Sequence, residues 1–128
     1  MKVIMVEPNK LARVAEIGSG LRSMQKAVGG GQIEAIYPYE DLVSIVCCET
    51  GKIDGMPLNR ALRGEDGEIY DILAGPFFIA GISQDNFASI PDDLTEEYLN
   101  LFLEPEIFVR VGGKIVAMKD RTNRDMRG

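Results

Sequence analysis

Histidine is absent from this 128-residue sequence, and cysteine occurs only twice. Without histidine, a serine or cysteine nucleophile has no imidazole base to activate it. Cys47 and Cys48 are adjacent, and two thiols alone leave a zinc site short of its usual four ligands. Pairs of carboxylates could serve in acid–base catalysis, but those in this sequence are better explained as helix-terminal or loop residues. We therefore expect no catalytic residue, no metal site and no enzymatic activity.

Long apolar runs and an excess of positive charge are also absent. No run approaches the roughly 20 apolar residues that a membrane span requires, and the apolar stretch at residues 3–6 is too short for a signal peptide. The chain carries 14 basic and 20 acidic residues, for a net charge of −6. General nucleic-acid binding would require a basic surface. We expect a cytoplasmic protein that binds neither membranes nor nucleic acids in general.

The residues that are present predict one globular α+β domain. Alternating or continuous apolar patterns indicate strands, and helical spacing with a Gly-rich stop or a following Pro indicates two helices. The predicted strands cover residues 3–6, 12–17, 33–37, 42–48, 69–82, 108–111 and 114–118, and the helices cover 21–28 and 92–102. The segment 69–82 is either one long strand or two strands that break at Gly75-Pro76. We predict a mostly antiparallel sheet with two helices packed on one side over residues 1–118, and a flexible tail over residues 119–128.

Several local features follow from residue chemistry. Ser19 is a candidate cap for the first helix, and Asp93 with Glu96 forms a candidate capping box for the second. The segment 49–52 has the composition of a hairpin turn. Pro57 is incompatible with a central strand, so residues 57–63 are predicted to form an ordered loop.

That loop contains the best candidates for ligand binding, Asn59, Arg60 and Arg63. An arginine offers a rigid set of donors that matches phosphate or carboxylate, and asparagine offers a donor and an acceptor. Binding residues concentrate on loops that a rigid sheet holds in place. The alternative is structural: Arg60 would make an internal ion pair and Asn59 would satisfy a turn.

Two tyrosines extend the candidate site. Tyr37 and Tyr39 flank Pro38 and could form an aromatic wall against a base or ring. The segment 18–20, Gly-Ser-Gly, precedes a helix as an anion-binding loop does. It lacks the Walker lysine pattern and the full dinucleotide fingerprint, so the sequence implies no cofactor.

Several segments resemble an uncharacterised family, domain of unknown function 3846. The similarity is carried by Pro-Leu-Asn-Arg-Ala-Leu at 57–62, by Ile-Tyr-Asp-Ile-Leu-Ala-Gly-Pro-Phe-Phe-Ile at 69–79, and by Asp-Asn-Phe-Ala-Ser at 85–89. The first eight residues and the segment 33–37 are also similar. The resemblance implies a bacteriophage or mobile-element setting, and it implies no particular reaction.

These observations lead to two functional hypotheses. In the first, a non-enzymatic phage or mobile-element protein binds and sequesters a small anionic ligand. That ligand would be nucleotide-derived, such as an immune signalling molecule, and its loss would counter host defence. The pocket would form between subunits, which predicts a homo-oligomer. In the second, the chain is a protein-interaction module that inhibits a host defence or restriction enzyme, with its acidic surface steering association.

Overall fold

The computed structural model describes residues 1–121, and residues 122–128 of the predicted tail lie outside the described residues. The elements follow the order β1 Lys2–Val6, β2 Arg13–Glu16, α1 Leu21–Ala27, β3 Ile33–Ile36, β4 Val43–Cys48, β5 Leu58–Arg63, β6 Ile69–Ala74, β7 Phe77–Ser83, β8 Asn86–Ala88, α2 Asp92–Leu101, β9 Glu106–Val111 and β10 Lys114–Lys119. All strand pairs are antiparallel. The predicted α+β class is confirmed.

The main sheet has the order β2-β1-β7-β4-β3, and β8 pairs with the end of β7. Its central strands are continuous apolar runs: Val3–Val6 of β1 and 77–81 of β7 are buried at every position. A strand that is apolar at every position is buried on both faces of its sheet. The sheet therefore needs a covering layer on each side.

The two helices supply these layers from opposite faces, and not from one side as the sequence prediction placed them. Tyr98 and Phe102, in and just after α2, belong to the same core cluster as Ile4 and Ile79. The other cluster joins Met24 of α1 to residues that alternate along β1 and β7 with those of the first cluster, such as Met5 and Phe78. Because neighbouring side chains of a strand point to opposite faces, α1 and α2 lie on opposite sides of the sheet.

Two further hairpins lie beside the main sheet. β5 pairs with β6, and β9 pairs with β10 through the Gly112-Gly113 turn. Leu62 and Leu73 of the first hairpin join the core under α2.

The chain breaks at Gly75-Pro76 into β6 and β7, which was one of the two alternatives for the long strand. β10 extends one residue past the predicted domain end at 118, and the N–H of Asp120 then donates to the Pro105 carbonyl over 2.7 Å.

Three local predictions were wrong. The predicted loop at 57–63 is mostly strand β5, which can follow Pro57 because the proline precedes the first ladder position. Neither helix has a side-chain cap, since Gly20 and Pro91 occupy the N-cap positions. The segment 49–52 does not close a hairpin with the next strand, because β4 pairs with β3 and β7 instead. Within residues 1–121, no helix is long and apolar enough to cross a membrane.

Candidate functional site

Asn59 is buried and fully engaged by its own domain. It is 1% exposed, and its amide nitrogen donates to the carbonyls of Val6 and Gly75 at 3.0 and 2.9 Å. Its side-chain oxygen accepts from Arg60 over 2.8 Å. The amide thus ties the end of β1 to the turn between β6 and β7. This is a structural role, which differs from the expectation that Asn59 contacts a ligand.

Arg60 is likewise buried, at 1% exposure. Its Nε donates to Phe102 O at 3.1 Å and its Nη2 donates to Lys10 O at 2.7 Å, while Nη1 reaches the backbone and side-chain oxygens of Asn59. Burial lowers the pKa of Arg60 to about 10, and the charge of nearby Glu106 opposes that shift. The guanidinium remains protonated at neutral pH. It connects segments that are distant along the chain by donating mainly to carbonyl oxygens. The structural alternative, an internal ion pair of Arg60, is therefore not the main contact.

Arg63 differs from its two neighbours because its side chain is partly exposed, at 37%. One of its terminal nitrogens donates to Glu106 Oε2 at 3.0 Å. The other oxygen of Glu106 accepts the Ala61 N–H at 3.0 Å. The Glu106 carboxylate therefore ties the β9–β10 hairpin to β5, and it leaves further N–H groups of Arg63 available at the surface.

The two tyrosines are not brought together with these residues. Tyr39 is half-buried and packs on Tyr98 with ring centroids 5.1 Å apart. Burial, with a smaller contribution from nearby Tyr70, raises the pKa of the Tyr39 hydroxyl. Tyr37 is exposed and lines a separate small cavity with Asp85 and Phe87. Arg63 is the one of the five predicted site residues that lines a cavity larger than the one beside Tyr37.

That cavity is a cleft of about 670 Å³ between the β5–β6 and β9–β10 hairpins. Its volume lies within the usual range for small-molecule sites. Arg63 and Lys114 supply positive charge, and Glu68 supplies the one side-chain negative charge of the lining. Its remaining walls are Gly67, Ile69, Ile72, Ile115, Val116 and Ala117. The arrangement can hold a small molecule that carries negative charge against an apolar wall.

A second cavity of about 350 Å³ adjoins this cleft and shares Ile69, Ile72 and Ile115 with it. Its other walls include Leu58 and Tyr70, which are exposed at 39% and 59%. We call the two together the hairpin groove. Apolar side chains thus line both cavities of the groove, and Arg63 and Lys114 line the larger one.

Sequence reasoning missed Lys114 and the isoleucines of the hairpin groove. Ile69, Ile72 and Ile115 fit strand patterns, so each was assigned to packing alone. Lys114 was assigned to the first position of the last strand. A signal was present, since the β9–β10 segment carries apolar residues at successive positions on both faces, more than one covered face requires.

The residues from 1 to 121 contain no group of three or more cysteine, aspartate or glutamate side chains that could hold a metal ion. Both cysteines are buried free thiols. Burial raises the pKa of Cys47 to about 11, and the charges of Glu34 and Cys48 add to the shift. A thiol with a raised pKa is a poor nucleophile at neutral pH.

No curated protein and no solved structure matches the chain. One family does match, over residues 1–103, which include β1 to β8 and α2. The match therefore includes Arg63 and the β6 wall of the hairpin groove, whereas the β9–β10 wall lies beyond it. Because it covers most of the sequence, the chain belongs to the family described as "Domain of unknown function (DUF3846)".

Proposed function

We propose that the protein is a non-enzymatic binding protein that holds a small anionic ligand in the hairpin groove. In a phage or mobile element, such binding would sequester a host signalling molecule, for instance a nucleotide-derived one, and so counter host defence. The observation that carries the proposal is a cleft of about 670 Å³ whose lining includes two cationic residues, Arg63 and Lys114. The buried pair Asn59 and Arg60 has no part in it.

The charges of the cleft favour an anion for a physical reason. Glu106 is 5% exposed and already accepts two hydrogen bonds, so its charge is compensated inside the protein. Glu68 is exposed and can turn towards water. Arg63 keeps unused donors and Lys114 is exposed. Hydrogen bonds from such cations to an anionic group contribute about 1.5–3 kcal/mol each before solvent screening.

A thermal-shift screen of nucleotides and other small anions tests this proposal. A ligand at about 100 times its Kd stabilises the folded state by about 2.7 kcal/mol, which gives a clear rise in Tm. The rise should disappear in Lys114→Gln and persist in Arg22→Gln, which removes an exposed cation from α1. Ligand recovered unchanged after incubation is expected of a non-enzymatic protein. Turnover, or a screen in which no anion raises the Tm, would contradict the proposal.

A second candidate function, inhibition of a host protein by direct contact, is favoured by a surface that borders the cleft and shares Val116 with it. One face of the β9–β10 hairpin exposes Ile107, Val111, Val116 and Met118 at 39–59%. Exposed apolar patches of this kind occur at protein interfaces. If this face contacts a host protein, Val111→Lys should abolish capture of that protein, whereas Leu21→Lys on α1 should not. The expected homo-oligomer also remains a prediction, which light scattering after size-exclusion chromatography tests.

A further inference from the structure

The two cavities of the hairpin groove have unlike linings. Arg63 and Lys114 line the larger cavity. Leu58 and Tyr70 line the smaller cavity. Lys52 also lines the smaller cavity, but its ammonium donates to Asp71 Oδ1 at 2.6 Å, so a carboxylate already compensates its charge. The positive charge available to a ligand is therefore in the larger cavity.

The middle of the groove is aliphatic. Ile69, Ile72 and Ile115 line both cavities. Ile115 is 39% exposed, and the other two are partly exposed. The backbone N–H of Ile72 is already satisfied by the Asp71 carboxylate at 2.8 Å. Sugar hydroxyls placed over these three side chains would lose water without gaining hydrogen bonds, which is costly.

We propose that the ligand of the hairpin groove is an amphiphilic anion, with one anionic group joined to an apolar body about as large as a fused pair of rings. This rests on the proposed function and narrows its ligand class. The anionic group lies in the larger cavity, whose lining includes Arg63 and Lys114. The apolar body covers the three isoleucines and reaches towards Tyr70. Burial of apolar surface supplies affinity, and the two cations supply orientation and selectivity.

Two fluorescent probes with nearly the same apolar body test the proposal. Anilinonaphthalene sulfonate carries a sulfonate, and N-phenylnaphthylamine lacks it. AMP serves as a hydrophilic anion with a single base. Affinities of the 128-residue chain are measured by titration, and thermal melts confirm that each variant is folded. The variants are Lys114→Gln and Ile115→Asp, with Arg22→Gln and Leu21→Asp as matched changes on α1.

The sulfonate probe should bind about tenfold more tightly than the neutral probe, as expected for one charge-assisted contact. Lys114→Gln should remove most of that preference and Ile115→Asp should weaken both probes at least about tenfold, because it places a carboxylate on the apolar wall. The two α1 variants should bind as the original chain does. AMP should bind more weakly than the sulfonate probe.

Each of the following results would overturn the amphiphile proposal. If AMP binds more tightly than the sulfonate probe and Lys114→Gln abolishes its binding, the amphiphile proposal is overturned while the anion-binding function stands. Equal affinity for the two fluorescent probes also overturns it, as does binding that Ile115→Asp leaves intact. If neither AMP nor either probe binds, the amphiphile proposal is overturned, and the proposed function falls as well if no anion of the thermal-shift screen raises the Tm.

Discussion

Replacement of Arg60 by alanine should destabilise the fold far more than removal of any surface cation. The substitution deletes four hydrogen bonds, made to Phe102 O, Lys10 O and two oxygens of Asn59. A buried acceptor left without a donor costs about 1–3 kcal/mol. Lys10 O is only partly buried and can recover a bond from water. We expect a loss of about 3–5 kcal/mol, a large part of the 5–15 kcal/mol typical of a whole domain.

The assay is thermal and urea unfolding of Arg60→Ala, Arg60→Lys and Arg22→Ala. A loss of that size corresponds to a fall in Tm of about 10–20 °C for a chain of this length. Arg60→Lys should recover little, because one ammonium cannot reach acceptors on separate segments as a guanidinium does. Arg22→Ala should change the free energy of unfolding by no more than about 0.5 kcal/mol. The structural role would be refuted if Arg60→Ala lowered the free energy of unfolding by less than about 1 kcal/mol and also abolished ligand binding.

Two further predictions concern the core. In a Cys48→Ser background, the rate of alkylation of Cys47 in the folded protein should rise about tenfold per pH unit. The rate should level off only near the raised pKa of Cys47, about 11. A plateau near the ordinary thiol pKa would show that the thiol is solvated. Gly81→Ala should cost about 1–3 kcal/mol by urea unfolding, because the added Cβ would lie 2.4 Å from the Ser89 carbonyl oxygen. Gly20→Ala, whose Cβ meets nothing within 4 Å, is its control, and equal stability of the two variants would disprove the close contact.

Most of the strands and the second helix could be predicted because their patterns are local. The Gly112-Gly113 turn, the α2 segment and the runs of β1, β4 and β7 each follow from periodicity and turn chemistry. The opposite placement of the helices was predictable in principle. The continuous apolar run Val-Ile-Met-Val at residues 3–6 of β1 already indicates a strand covered on both faces.

The roles of Asn59 and Arg60 could not be predicted in this way. Their acceptors are carbonyls of Val6, Lys10, Gly75 and Phe102, in segments that are distant along the chain. A local pattern of proline, asparagine and arginine is the same whether such side chains face water or a set of buried carbonyls. The hairpin groove has the same difficulty, because Arg63 and Lys114 become neighbours of one cleft only when the two hairpins meet.

Native mass spectrometry of the protein purified from bacterial cells, before and after denaturation, tests the binding proposal most directly. We expect an intact small anionic molecule to accompany the folded protein and to be released on denaturation. The same molecule should be absent from Lys114→Gln purified in parallel and present in Arg22→Gln. A protein that carries no small molecule, or one that carries only a host protein, would contradict the account.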